Sequence, residues 1–411
     1  MKQIKPIATL ILLYPIEMPI HINQRSGMNT LKITDVKTYN LNSPLETSFG
    51  WSQAWTSNRS VGIVKISTDE GITGWGEGCE GPSSTVVNNI ISPMIVGEDP
   101  MNRLGIWQKM FHSMYNGNVA VGYGGSAISA VDMALWDITG KALGVPVNML
   151  IGGMIRDRVP VYATGLYYTK NEKDGRLSLE AQTYAEQGFL GMKTKVGGLP
   201  IQKDVERVRF IREIIGPDLK LMIDANQAYN AHTAIKIGNM LANSDILWFE
   251  EPVNAKDLES YLQVKSNIPM SVAGGENLRT RFEFKEFLAK RAYDIVQPDV
   301  INVGGISEMR NVSMHANTMG IQVNPHVWGS PIMIAATLHV ISTIPPCPES
   351  FIAEPFEQEP VMEYDRTPSE IRDHLCHESF VMEEGRLKVP DTPGLGITVD
   401  EKVLDRLARA N

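Results

Sequence analysis

Six ionisable residues, each closing a short apolar run, recur along the C-terminal two-thirds of this 411-residue chain at nearly one spacing. They are Asp224, Glu250, Glu276, Asp299, His326 and Glu354, with the pair Lys193/Lys195 one step upstream. From Lys195 onward the steps are 29, 26, 26, 23, 27 and 28 residues. A repeat of about 25 residues is what one strand, one helix and two short loops consume in an α/β barrel. Charged groups that end every strand segment converge on one mouth of that barrel, where such barrels carry their catalytic residues. The pattern predicts an enzyme.

The surrounding segments agree with that period. Strand-like runs fall at 159–164, 191–195, 219–226, 246–250, 270–273, 293–297, 321–324 and 351–354. Amphipathic stretches separate them, most clearly at 203–215, 231–243, 280–290 and 306–319. Strict strand–helix alternation implies a parallel sheet, and eight runs is the barrel number. Residues 29–150 follow another grammar: alternating strands, a turn at Asp69-Glu-Gly71, then helices, the clearest at Ser126–Lys141. They predict a small α+β domain ahead of a barrel over 151–370, with a tail at 371–411 that returns to the first domain. Between the first strands, 44–60 shows no period but carries Phe49, Trp51 and Trp55, as a binding lid would.

Composition narrows the function classes. A net charge of −9 argues against a nucleic-acid partner, which needs a basic surface. Cys79, Cys347 and Cys376 form no CxxC, so a reduced cytoplasmic setting is expected. The apolar stretch 7–14 is too short to span a bilayer, and Pro15, Glu17 and Pro19 interrupt it. Residues 1–27 read as a disordered extension and not as a targeting segment.

Asp224, Glu250 and Glu276 lie one strand apart and offer hard oxygen donors with no thiolate, a set that suits Mg²⁺. A role as helix N-caps is the competing explanation. Asn226 follows Asp224 by two residues and is placed for a substrate or supporting contact. Lys193 and Lys195 share one side of their strand, where two ammonium groups would lower each other's proton affinity and leave a base usable near neutral pH. Asp299 and His326 end neighbouring strands, close enough for the carboxylate to fix the ring tautomer. Glu354 on the eighth run would donate a hydrogen bond to a substrate oxygen if protonated, or cap a helix. Together the set supports removal of a proton beside a carboxylate. The resulting enediolate is too basic to form unaided, and a bound dication stabilises it by several kcal/mol.

The segments Lys193-Thr-Lys195, Asp224-Ala-Asn226, Glu250-Glu-Pro252, Gly275-Glu-Asn277, Gln297-Pro-Asp299 and Pro325-His326 resemble the mandelate racemase subgroup of the enolase superfamily. The resemblance runs over about 29–400 and implies a capping domain, built from both chain ends, over a (β/α)7β modified TIM barrel. It implies Mg²⁺ on Asp224, Glu250 and Glu276, with Lys195 as one base tuned by Lys193. His326 paired with Asp299 would be the other base, and Glu354 the acid. The muconate cycloisomerase subgroup would carry a lysine near strand six, where Asp299 stands here. Residues 325–330 and 354–367 are most similar to those of cycloisomerases acting on galactarolactone and 3,6-anhydrogalactonate. That implies a small sugar-acid substrate, ring opening to a 2-keto-3-deoxy acid, and a homo-oligomer. Dehydration of open sugar acids and 1,1-proton transfer are the alternatives, and a non-catalytic sugar-binding barrel the reading from another class.

Overall fold

The protein's structure, a computed structural model, describes residues 31–115, 122–170 and 175–408; the extension expected at 1–27 lies outside them. Three antiparallel strands come first, β1 (Ile33–Trp51), β2 (Ala54–Thr68) and β3 (Thr73–Gly78), hydrogen-bonded in that order. The expected turn after β2 is present, with Gly71 at φ 76°. β3 reads Thr-Gly-Trp-Gly-Glu-Gly, and its alternation puts all three glycines on one face. That face lies against the helix Tyr123–Leu143, which is longer than the expected Ser126–Lys141 and ends on a left-handed Gly144. A Cβ on Gly76 would stand 1.8 Å from the Ala130 carbonyl oxygen, and one on Gly74 2.1 Å from that of Ala134. Only hydrogen fits there, so the helix packs onto bare strand backbone.

The stretch 44–60 is not a loop. β1 and β2 run on as a long hairpin whose register shifts between Pro44 and Phe49 and whose tip is Ser52-Gln53. The shift breaks the two-residue alternation, which is why no strand period is legible there.

The barrel strands are β4 (Arg158–Thr164), β5 (Gly191–Lys195), β6 (Lys220–Asp224), β7 (Ile246–Glu250), β8 (Ser271–Gly274), β9 (Ile295–Val296) and β10 (Gln322–Val323), each parallel to the next. A helix follows each, from Arg176–Glu186 after β4 to Pro331–Ile341 after β10. The eighth strand is β11 (Met362–Asp365), parallel to β4 with Glu363 beside Tyr162. Asn324 Oδ1 accepts the Val361 N–H (3.0 Å) and spans the seam between β10 and β11. Eight strands with seven intervening helices make the (β/α)7β barrel.

The expected strand at 351–354 is absent. That segment is an exposed turn after Pro345-Pro346, and the Glu354 carbonyl accepts the N–H groups of Glu357, Gln358 and Glu359. The last loop is longer than its predecessors, so extrapolating the repeat placed the strand too early. The tail also differs in part from expectation. β12 (Met382–Glu383) and β13 (Arg386–Lys388) form a hairpin that adds antiparallel to β4 of the barrel, while the helix Glu401–Ala408 lies on β1 of the cap. Among the described residues no helix is long and apolar enough to cross a membrane.

Two buried acids lock cap to barrel. Glu77 on β3 accepts from Ser330 Oγ (2.5 Å), the Ser330 N–H (3.1 Å) and the Met333 N–H (3.2 Å) at the start of the helix Pro331–Ile341. Asp132 accepts from Ser307 N–H (2.9 Å) and Oγ (2.6 Å) in the helix Gly305–Thr318. Orphan donors at helix starts favour such carboxyls. Burial pushes both acids up, to about 7 each.

Candidate active site

Parallel register delivers the charged strand ends to one place. Lys195 lies beside Asp224, and Asp224 beside Glu250. Glu276 follows two residues after β8 in the next loop. Above them is a cavity of about 630 Å³, walled by Lys195, Asn226, Glu276 and His326 from the barrel and by Trp51, Gln53, Thr56, Asn58 and Ser60 from the hairpin. Lys193, Asp224 and Asp299 are almost fully buried against Glu363, Lys195 and His326 of that wall, and Glu250 is buried behind them on Lys193. The hairpin tip closes on the same point: Ser52 Oγ donates to the Asp224 carbonyl and to Asn226 Oδ1 (3.3 Å each), and Gln53 Nε2 to the Asn226 carbonyl (2.5 Å).

Glu354 is not brought to this site. Glu363 takes the position expected of it, lining the cavity from β11. Its Oε1 accepts from Thr164 Oγ1 (2.5 Å) and lies 3.0 Å from Lys193 Nζ; its Oε2 accepts the Val327 N–H (3.0 Å). The alternation Val361-Met-Glu-Tyr-Asp365 after Pro360 is the signal that identifies this strand.

His326 Nδ1–H donates to Asp299 Oδ2 (2.8 Å), which fixes the tautomer and leaves Nε2 between Glu276 Oε2 (3.5 Å) and Glu363 Oε2 (3.7 Å). Asp299 is itself held by the Ile301 N–H (2.8 Å). Burial works against charge on the ring, but Glu276, Glu363 and Asp299 outweigh it and hold its pKa well above the usual value.

The lysines depart from expectation. Lys195 Nζ pairs with Asp224 Oδ2 (2.5 Å), and Lys193 Nζ with Glu250 Oε1. Burial opposes charge on both, yet these carboxylates outweigh it, so the pKa of each lysine is raised and not lowered. Sequence placed the two ammonium groups together but gave no measure of how much closer the acids stand. For Asp224, burial is likewise outweighed by Lys195 and Lys193, which hold it below the usual carboxylate range. Glu363 is pulled down against its burial by Lys193 and His326, to about 2. Burial pushes Glu250 and Glu276 up.

A magnesium ion fits this donor set. Six acids (Asp224, Glu250, Glu251, Glu276, Asp299 and Glu363) crowd three possible cations (Lys193, Lys195 and His326). Glu276 Oε2 is buried and accepts no hydrogen bond. Hard oxygens with surplus negative charge match a divalent ion. Among the described residues no three Asp, Glu, His or Cys side chains stand as a ready-made cage. Lys195 and Lys193 engage Asp224 and Glu250 instead.

Comparison with known proteins gives one answer. Residues 28–152 match the mandelate racemase / muconate lactonizing enzyme N-terminal domain, and residues 176–403 the enolase C-terminal domain-like family. The chain is 37% identical to D-galactarolactone cycloisomerase of Agrobacterium fabrum, over 91% of this chain and 98% of that protein. It is 35% identical to arabinonate dehydratase of Saccharolobus solfataricus, over 83% and 89%. The crystal structure of 3,6-anhydro-D-galactonate cycloisomerase from Zobellia galactanivorans superposes with a TM-score of 0.81 at 35% identity, covering 92% of this chain and 99% of that one. A magnesium-bound racemase from Streptomyces coelicolor A3(2) gives a TM-score of 0.81 at 28% identity, covering 91% and 99%. Fold, cavity and both domain matches make this chain a member of the enolase superfamily, with a mandelate racemase-type cap over its barrel.

Proposed function

We propose that this enzyme removes the proton α to the carboxylate of a cyclic sugar acid and opens its ring by β-elimination. The observation that carries this reading is that Lys195, His326, Glu276 and Glu363 line one cavity, which makes Lys195 Nζ and His326 Nε2 the candidate proton-transfer atoms. Asp224, Glu250 and Glu276 would hold Mg²⁺. When bound, that ion offsets their charge and stabilises the negative charge that develops on the substrate carboxylate.

In this reading one of the two bases takes the α-proton, and the C–H electron pair forms the new carbon–carbon double bond. The ring C–O bond at the β-carbon breaks, its electrons leave on the ring oxygen, and that oxygen takes up a proton. The resulting enol gives up its hydroxyl proton, takes one at the β-carbon and becomes the 2-keto-3-deoxy acid, so a ring-closed substrate isomerises with no loss of water. His326 is held for proton transfer by Asp299, and Lys195 gains that capacity as its hold on Asp224 is relieved. Glu363, kept ionised beside Lys193, accepts hydrogen bonds from Thr164 and Val327 and adds negative charge near His326 Nε2. The hairpin forms one wall of the chamber over the barrel mouth.

The relatives at 35–37% identity support the sugar-acid class. Three free cysteines support a reducing, cytoplasmic setting. Dehydration of an open aldonate is the second reading. It is favoured by the amide and hydroxyl groups of Gln53, Thr56, Asn58, Ser60 and Asn254, which line the cavity as a polyol chain requires.

The deciding experiment is turnover of galactarolactone, 3,6-anhydrogalactonate and open aldonates in D₂O, followed by NMR. Ring opening predicts a 2-keto-3-deoxy acid from a closed substrate with one deuterium at C3. Keto acid from open aldonates alone overturns ring opening and supports dehydration.

A further inference from the structure

Beside the candidate cation ligands is a buried acid to which the chemistry above gives no task. Glu251 follows Glu250, is fully buried, and stands next to the carboxylates of Glu250 and Glu276. Among the described residues it has no cation partner. Its partners are amides: Asn277 Nδ2 donates to Oε1 and Oε2 (2.9 Å each), and Gln227 Nε2 donates to Oε2 (3.3 Å). Asn277 Nδ2 also reaches Glu276 Oε1 at 3.4 Å. Gln227 is held in turn, because its N–H donates to the Glu251 carbonyl (2.8 Å) and its Oε1 accepts the Ala255 N–H (2.9 Å).

The backbone is committed to the same arrangement. Asn226, Gln227 and Glu251 take φ values of 41°, 67° and 38°, in the left-handed region that non-glycine residues rarely enter. Such conformations persist where the surroundings over-determine them. A glutamine here would offer a single acceptor oxygen and turn its own donors towards those of Asn277 or Gln227. A carboxylate accepts from both amides at once.

We infer that Glu251 is a positioning residue for the cation site: it ties Asn277 and Gln227 together, fixes the loops after β6 and β8, and holds the Asn277 amide beside Glu276 Oε1. This rests on reading Asp224, Glu250 and Glu276 as Mg²⁺ ligands. Supporting groups around a metal's ligands commonly change its affinity by about 10- to 100-fold.

The test is calorimetric titration of Mg²⁺ into chelator-stripped wild type, Glu251→Ala, Glu251→Gln and Asn277→Ala, with thermal melts of each metal-free protein. Glu251→Ala and Asn277→Ala should each weaken Mg²⁺ binding by about 10-fold or more, with Glu251→Gln between them and wild type. Asn277→Ala removes no charge, so its loss separates positioning from simple electrostatics, and it carries the test if Glu251→Ala does not fold. Wild-type affinity in Asn277→Ala overturns the inference while the cation reading stands. No Mg²⁺ uptake by the wild-type protein overturns both.

Discussion

Lys193 Nζ stands 3.0 Å from Glu363 Oε1, which links β5 to β11 across β4 and closes the ring of charge around the barrel mouth. Lys193 also holds Glu250 and lies 3.7 Å from Asp224 Oδ2. A single buried ammonium therefore ties two candidate metal ligands to the acid of the eighth strand. Removing one partner from such a group leaves the others uncompensated.

Glu363→Gln keeps the shape of that contact and removes its charge. The expected result is a fall of about 10²–10³-fold in kcat/KM with the fold retained by circular dichroism. Glu354→Gln, on the exposed turn, should stay close to wild type. Steady-state kinetics of the two variants side by side separates the two acids.

Lys195→Ala and His326→Asn each remove one candidate proton-transfer atom and should lower turnover by at least about 10²-fold. Their exchange behaviour should differ. The variant that keeps the base facing the substrate's α-hydrogen should still wash deuterium into that position without net reaction, and the other should not. NMR of recovered substrate in D₂O reads this directly, and exchange at the wild-type rate in both variants would remove the two residues from the mechanism.

Stripping the protein with a chelator should abolish turnover, and Mg²⁺ should restore it. Thermal melts of stripped and reloaded protein should differ, because an ion bound only by the folded state stabilises it by mass action. Full activity in chelator contradicts the cation reading.

Arg59 on β2 reaches the barrel. Its guanidinium pairs with Asp365 Oδ2 (2.7 Å), donates to Thr367 Oγ1 (2.7 Å) and covers Trp328 at 3.6 Å from the ring centroid. Arg59→Met should cost about 3 kcal/mol, the low end for a broken buried pair, since Arg372 remains 3.5 Å from Asp365. Because Trp328 lines the cavity, KM should rise as well. Chemical denaturation and substrate titration measure the two effects.

Glu77 gives stability a pH dependence of defined sign. Its pKa is raised by burial from 4.5 to about 7, so the folded chain keeps a proton that the unfolded chain has released. Its contribution is full below pH 4.5 and is lost as pH rises through about 7, in total about 3 kcal/mol at 1.4 kcal/mol per unit. In wild type this adds a falling slope of unfolding free energy between those limits. Glu77→Gln should lack that part of the slope, and an identical pH profile for the two proteins would contradict the assignment.

Much of the barrel was legible because parallel strands buried on both faces read as apolar runs, and functional groups must stand at their ends. Gly191–Lys195 and Ile246–Glu250 have the expected bounds. Glu354 was misplaced because a regular spacing carries no information about the one loop that breaks it. Met362-Glu-Tyr-Asp365 shows the alternation of a strand, but the eight apolar runs between 159 and 354 already fill the barrel number. The hairpin 44–60 was obscured by its register shift, and Glu251 by standing next to Glu250 with no period of its own. The lysine pKa values depend on distances of 2.5–3.7 Å to Asp224 and Glu363, which no pattern in the chain encodes.

The contacts of Ser52 and Gln53 reach past the mouth of the barrel to the backbone at Asp224 and Asn226. Roof and floor of the chamber thus share one fastening. Lifting the hairpin breaks these bonds, so opening the chamber is coupled to the segment that carries the candidate ligand Asp224.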